Sequence, residues 1–300
     1  MTLEQILEKA RISPTKKLAV AAAEDADVLS AVCRAAEMSL VLPVLIGDEK
    51  KIREIAKENG FCLNNCQIID ADNSVSAAAK AVEMARSGEV QAIMKGQLHS
   101  SILMKAILNK ETGIRNGSVL SHVGIIQCAK LDRLIFLTDG AMCTYPDLQQ
   151  KVSIINNAVE IACRLGTALP KVACLCAVET VNPNMQPTLD AASLALMSQR
   201  GQIKNCIVDG PLALDNALSM EAARHKGVKS PVEVKGCADI LLVPNIEAGN
   251  ILLKGTRHFG DCQTVGLVAG AKVPVIMSSR ADTADNKLLA IACAVYQSEE

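Results

Sequence analysis

The 300-residue sequence predicts an α/β chain: two lobes with mostly parallel sheets. Three observations lead there. Short apolar runs rich in Val, Ile and Ala alternate with stretches of helical period. The runs are continuously apolar, as in strands covered on both faces, and successive βα units require crossovers that make their strands parallel. The rhythm breaks once, near residues 110–135, where two apolar runs follow each other with no room for a helix between them.

Taken in order, LAVAAA (18–23) reads as a strand and 25–38 as a helix. LVLPVLIG (40–47) is a strand, followed by a helix from Asp48 that Gly60 closes. CQIID is a strand, and the helix after it has Asn73 or Ser74 as its cap and Gly88 at its end. VQAIMKG (90–96) is a strand and 98–109 a helix. After the loop ETGIRNGS come VLSHVGIIQC and DRLIFLTDG, two runs that pair directly or bridge the lobes. The alternation then resumes with helix 147–165, strand KVACLC, helix 187–200, strand IKNCIVDG, helix 212–226, strand ADILLVPN and helix 246–257. TVGLVAGAKVPVIMSS holds one or two strands, and a last helix runs from about Asp282 to Gln297. Residues 1–130 with 272–300 make the first lobe, and 131–271 the second.

Composition narrows the function. The formal net charge is -1, from 31 basic and 32 acidic residues, so no basic surface invites nucleic acid. With no Trp, two Tyr and three Phe, aromatic platforms for bases are scarce. No apolar run approaches the ~20 residues of a membrane helix. The start, MTLEQILEKARISP, carries Glu4 and Glu8 in place of a signal peptide's apolar centre, and a cytoplasmic location is expected. Most of the 12 cysteines, Cys33, Cys128, Cys163, Cys174, Cys176, Cys206 and Cys293 among them, sit in apolar segments. They are expected to be reduced and to act as small buried hydrophobes. No CxxC pair occurs, and the spacings Cys62/Cys66 and Cys174/Cys176 do not suit a zinc site, so no metal is expected.

Sheets of this kind bind ligands beyond the carboxyl ends of their strands. Five such ends carry small, flexible or charged residues. Lys95, Gly96, Gln97 and His99 follow VQAIM, and Thr138, Asp139 and Gly140 follow LIFL. Asp209, Gly210 and Pro211 follow IKNCIV. Pro244, Asn245, Glu247, Gly249 and Asn250 follow DILLV, and Ser278, Ser279 and Arg280 follow PVIM. Turns and helix caps account for any one of these junctions, and His99 and His122 read first as caps or core residues. The Ser279-Arg280 pair is the most pointed. A guanidinium fork suits phosphate or carboxylate oxygens, and the N-terminus of the next helix favours an anion beside it. Ser279 can donate to a developing oxyanion, and Asp285 can orient Arg280 or accept a proton. No GxGxxG, full P-loop, GxSxG or HExxH occurs, so no dinucleotide cofactor is indicated.

Together, MKGQLHSSILMKAIL (94–108), GIRNGSVLSHV (113–123), LTDGAMCTYPDLQQK (137–151), VDGPLALDNAL (208–218), PNIEAGNILLKG (244–255) and KVPVIMSSRADTADNK (272–287) resemble the phosphate acyltransferase family. The butyryl-transferring branch is most similar and the acetyl-transferring branch more distant. The resemblance covers nearly the whole chain. It implies reversible transfer of a short acyl group, butyryl or branched, between CoA and orthophosphate through a tetrahedral intermediate. CoA is then a substrate, with no cofactor and no metal. It implies a two-lobed architecture like that of isocitrate and isopropylmalate dehydrogenases, with the site between lobes. It also implies a homo-oligomer, with the dimer interface assigned to the second lobe. Ser279 and Arg280 match the family's catalytic pair. Ungapped spacing to the family's Asp lands on Asn286, which cannot be a base; either Asp285, one residue earlier, takes that role through a small shift, or the phosphate's own oxygens accept the proton, with Asp282 a carboxylate earlier still. Arg115 and Lys105 are candidates for further cationic contacts. Lys95, Gly96, His99, Thr138, Asp139, Asn245, Glu247, Gly249, Asn250 and Lys254 are assigned to substrate binding. The alternatives are acetyl transfer, a metal- and NAD(P)-dependent decarboxylating dehydrogenase with Asp139 and Asp209 as metal carboxylates, and a non-catalytic module that holds CoA or acyl phosphate.

Overall fold

The computed structural model describes residues 1–117, 119–279 and 282–298. The chain divides into two compact units, 2–117 with 265–300, and 118–264 with Met1.

The first unit opens with α1 (Leu3–Arg11), a helix absent from the sequence reading. Its signal is a capping box: Gln5 N–H donates to Thr2 Oγ1, and Thr2 N–H donates to Gln5 Oε1. Leu3, Ile6 and Ala10 form its buried face. The predicted alternation follows, with β1 (Lys16–Ala21), α2 (Ala26–Glu37), β2 (Val41–Gly47), α3 (Glu49–Asn59), β3 (Gln67–Asp70), α4 (Ser74–Arg86), β4 (Ala92–Lys95) and α5 (Ser100–Ile107). Side-chain oxygens of Asp25, Asp48 and Asn73 accept the first free N–H groups of α2, α3 and α4, and Gly60 ends α3 with φ 70°.

In the unit 118–264, β5 (Ser121–Gln127) pairs antiparallel with β6 (Ile135–Thr138). Then come α6 (Leu148–Arg164), β7 (Lys171–Leu175), α7 (Gln186–Gln199), β8 (Ile207–Leu212), α8 (Leu214–Leu218), α9 (Met220–His225), β9 (Ile240–Leu242) and α10 (Ile246–His258). The single helix expected over 212–226 is two, because Ser219 is extended (φ -124°) and its hydroxyl caps α9. The strand order is β5-β6-β9-β7-β8, and every neighbouring pair after the first is parallel. Leu137, Ala173, Leu241 and Val243 lie in one buried cluster here.

The chain returns to the first unit through β10 (Gln263–Ala269), β11 (Val275–Ile276) and α11 (Ala284–Gln297). The order in that unit is β3-β2-β1-β4-β11-β10, parallel except for β10 against β11. The 264–279 segment is thus a pair of strands. α11 is buried nearly throughout and packs on α1 and α2.

One expectation about the cysteines is corrected. Cys128, at the end of β5, and Cys262, just before β10, form a disulfide with Cα atoms 4.5 Å apart. A sequence separation of 134 residues hid this pairing from a reading of local context. The other ten are free thiols.

Candidate active site

β4 and β11 are parallel neighbours, with Ile93 opposite Val275 and Met94 opposite Ile276. Their carboxyl ends therefore emerge side by side, Lys95-Gly96 from one and Met277-Ser278-Ser279 from the other. Gly96 has to be glycine: a Cβ there would lie 2.0 Å from the Ala22 carbonyl oxygen. Ala22 itself is left-handed (φ 57°), and its carbonyl accepts Gln97 N–H at 2.6 Å. Lys95 is 6% exposed, and its Nζ donates to the carbonyls of Gly96 and Leu98 at 3.2 Å each. His99 occupies the N-cap position of α5 but makes no side-chain cap bond.

Ser279 and Asp282 close a reciprocal turn. Ser279 N–H donates to Asp282 Oδ2 at 2.7 Å, and Asp282 N–H donates to Ser279 O at 3.1 Å. Asp282 is 5% exposed. Thr283 then caps α11, accepting Asn286 N–H. Lys287 Nζ, also buried, donates to the Asp282 carbonyl. Asp285 points elsewhere: it is exposed, and its carboxylate meets Arg34 of α2 at 2.6 Å. The carboxylate that the fold brings to Ser279 is therefore Asp282. Arg280 lies outside the described residues. Arg115, exposed, makes a backbone bridge to Ala271.

In the other unit, the end of β6 meets the start of α10. Thr138 and Asp139 are buried, joined by a cis peptide, and Thr138 Oγ1 donates to His122 O at 2.9 Å. The Asp139 carboxylate accepts N–H groups of Ala141, Met142 and Cys143 at 2.9, 3.0 and 3.1 Å, folding the loop around itself. α10 lies directly on this backbone. A Cβ on Gly249 would come within 2.7 Å of Gly140 Cα and 2.9 Å of Asp139 O. Asn250 Nδ2 donates to Gly140 O at 3.1 Å. Asn245 caps α10 through Ala248 N–H. Glu247 accepts the Tyr145 hydroxyl at 2.5 Å, which holds that phenol above its usual range. Lys254 is exposed on the same helix. Burial, followed by the Asp139 carboxylate, pushes the Cys143 thiol up to about 12, so it is no nucleophile near neutral pH.

A family model described as phosphate acetyl/butaryl transferase matches residues 1–78 and 73–295. This chain belongs to that family. Phosphate butyryltransferase of Clostridium acetobutylicum is 46% identical to it over 293 residues, 98% of this chain and 97% of the relative. Phosphate acetyltransferase of Thermotoga maritima is 44% identical over 292 residues, 97% and 98% of the two chains. Among solved structures, a branched-chain phosphotransacylase from Enterococcus faecalis superposes with a TM-score of 0.82 at 30% identity, covering 94% of this chain and 99% of that one.

Within this member of the phosphate acetyl/butaryl transferase family, the sequence-assigned residues fall into two groups. Lys95, Gly96 and Ser279 share one sheet edge, whereas Thr138, Asp139, Asn245, Glu247, Gly249 and Asn250 share the β6–α10 junction. Asp139 and Asp209, the pair a metal would need, are each engaged locally, Asp209 by Gly210 N–H at 2.9 Å and the Ser230 hydroxyl at 2.5 Å. Among the described residues, no group of three or more His, Cys, Asp or Glu is placed to hold a metal. Sequence reasoning passed over Lys287, whose signal is a lone lysine heading the apolar run LLAIACAV, and the buried Lys151–Asp190 pair at 2.5 Å.

Proposed function

We propose that this protein moves a short acyl group, butyryl or branched, reversibly between CoA and orthophosphate. The observation that carries this reading is the Ser279–Asp282 turn at the end of β11, in a chain 46% identical along its length to a phosphate butyryltransferase. In the direction of acyl phosphate synthesis, a phosphate oxygen attacks the thioester carbonyl, and the carbon–sulfur bond breaks as the tetrahedral oxyanion collapses. Ser279 donates to that oxyanion. Arg280, next along the chain, neutralises phosphoryl charge with its fork. In reverse, the CoA thiol, with an ordinary pKa of about 8.5, must lose its proton before sulfur attacks the acyl phosphate. We assign that proton to Asp282, since Asp285 is engaged by Arg34. Lys95, Gly96, His99, Arg115, Thr138, Asp139, Asn245, Glu247, Gly249, Asn250 and Lys254 remain assigned to substrate binding.

CoA is a substrate in this reading, and neither metal nor redox cofactor takes part. We further infer an architecture like that of the isocitrate and isopropylmalate dehydrogenases, a cytoplasmic location and a homo-oligomer whose interface belongs to the unit containing α10. Ile251 and Phe259, 72% and 94% exposed there, support that interface. No helix among the described residues is long and apolar enough to cross a membrane. The test is thiol release from butyryl-, isobutyryl- and acetyl-CoA, with and without orthophosphate, in the presence of a chelator. Phosphate-dependent release fastest with the four-carbon chains is expected; fastest release with acetyl-CoA would move the reading to acetyl transfer, and no phosphate dependence with any of them would end it.

A further inference from the structure

We infer that Lys287 is a positioning residue for phosphoryl binding: a buried fixed cation that holds the Ser279–Asp282 turn and adds positive potential at the carboxyl end of β11. This rests on the transfer reading above. Lysine is almost never fully buried unless paired, yet Lys287 is 3% exposed. The contact its amine makes is with a neutral group, the main-chain carbonyl of Asp282. It also sits at the start of α11, where its own N–H closes the first turn onto Thr283 O. The helix dipole disfavours a cation there. A buried charge in two unfavourable settings is accounted for if something anionic occupies the site in the working protein.

The contacts lead to the reacting residues in three links. Lys287 Nζ holds Asp282 O, the Asp282 carboxylate holds Ser279 N–H, and Ser279 O accepts Asp282 N–H. The neighbouring strand repeats the device: Lys95, 6% exposed, also holds main-chain carbonyls, those of Gly96 and Leu98. The β4–β11 register sets Lys95 level with Met277, two residues before Ser279. Two buried ammonium groups thus brace the two adjacent strand ends. Charges that are buried and fixed are screened little and need no reorganisation when an anion arrives, so they suit a phosphoryl group or a developing thiolate.

The test compares Lys287→Met, which keeps the volume without the charge, and Lys287→Gln, which keeps a donor, with Lys287→Arg, which keeps the charge. Thermal midpoint, kcat and the separate KM values for orthophosphate and butyryl-CoA are measured for each. Met and Gln variants with a near-native midpoint should raise the phosphate KM on the order of tenfold or more, the scale of one charge-assisted contact, and leave the butyryl-CoA KM nearly unchanged. Lys287→Arg should recover part of the phosphate KM. An unchanged phosphate KM in a folded Met or Gln variant, or equal rises in both KM values, overturns the role. Should neither neutral variant fold, the side-chain ammonium resonances of the native protein decide. A Lys287 signal, assigned by its absence in Lys287→Arg, that shifts on adding orthophosphate supports the inference, and a Lys287 signal unmoved at saturation refutes it. If the native enzyme shows no phosphate-dependent thiol release, the transfer reading fails and this role falls with it; native transfer with an unmoved phosphate KM in the variants fails Lys287 alone.

Discussion

Two glycines on α10 should respond to the same substitution with opposite signs. At Gly249 an added Cβ would meet Gly140 Cα at 2.7 Å, Val243 Cγ2 at 2.8 Å and Asp139 O at 2.9 Å. Two of these atoms are backbone, so relief requires α10 to lift from the β6 loop. At Gly255 the nearest atom is Phe259 Cδ2 at 3.9 Å, an ordinary contact. Replacing a helix-interior glycine by alanine gains about 1 kcal/mol where there is space. Overpacking costs about 1–3 kcal/mol. Lifting the helix also threatens the Asn250–Gly140 bond of 3.1 Å, worth about 0.5–1.5 kcal/mol. Gly255→Ala should therefore stabilise by up to about 1 kcal/mol, and Gly249→Ala destabilise by about 1–3 kcal/mol after its propensity gain is subtracted. Urea unfolding followed by circular dichroism, run side by side, gives the two midpoints. Thiol-release assays on the same samples should show activity lost in Gly249→Ala and retained in Gly255→Ala. A Gly249→Ala midpoint at or above the native one would refute the close approach of α10 to the Asp139–Gly140 backbone.

Three further outcomes are expected. Asp282→Asn keeps an acceptor for Ser279 N–H but loses the charge and the basicity, so kcat should fall by roughly 10²–10⁴-fold, while Asp285→Asn, breaking an exposed pair with Arg34, should keep most activity; the reverse pattern in steady-state kinetics would return the base role to Asp285. Lys151→Met leaves Asp190 buried with Gln186 as its remaining partner, and chemical denaturation should report a loss of about 3–5 kcal/mol, most of it recovered in Lys151→Met/Asp190→Leu. A thiol raised to about 12 stays protonated until the pH approaches that value, so mass spectrometry should find Cys143 alkylated at pH 8 on the order of a thousandfold more slowly than an unperturbed thiol; comparable labelling would contradict its half-buried place beside Asp139.

What the sequence revealed followed from local period. Continuous apolar runs, and caps such as Asn73, place most elements within a few residues, since each signal lies inside the element it marks. The α8–α9 break at Ser219 was missed because 212–226 keeps a helical composition through a single extended residue. The strand end at Ser279 was legible only as a composition. Its wiring was not: whether Asp282 or Asp285 faces Ser279 depends on where the turn closes and on Arg34, 251 residues away in sequence. The cradle under Gly96 and the contact beneath Gly249 are likewise set by backbones distant in the chain, Ala22 for one and Gly140 for the other. The Cys128–Cys262 bond was missed for the same reason.

We propose that the turn following β11 grips the phosphoryl group while the acyl group changes hands. A crystal structure of the protein with CoA and orthophosphate tests it most directly. Phosphate within hydrogen-bonding distance of the Ser279 hydroxyl and the Arg280 guanidinium, with the CoA sulfur nearer to Asp282 than to Asp285, is the expected result. Phosphate bound away from Ser279, or an Arg280 guanidinium turned away from it, would contradict the account.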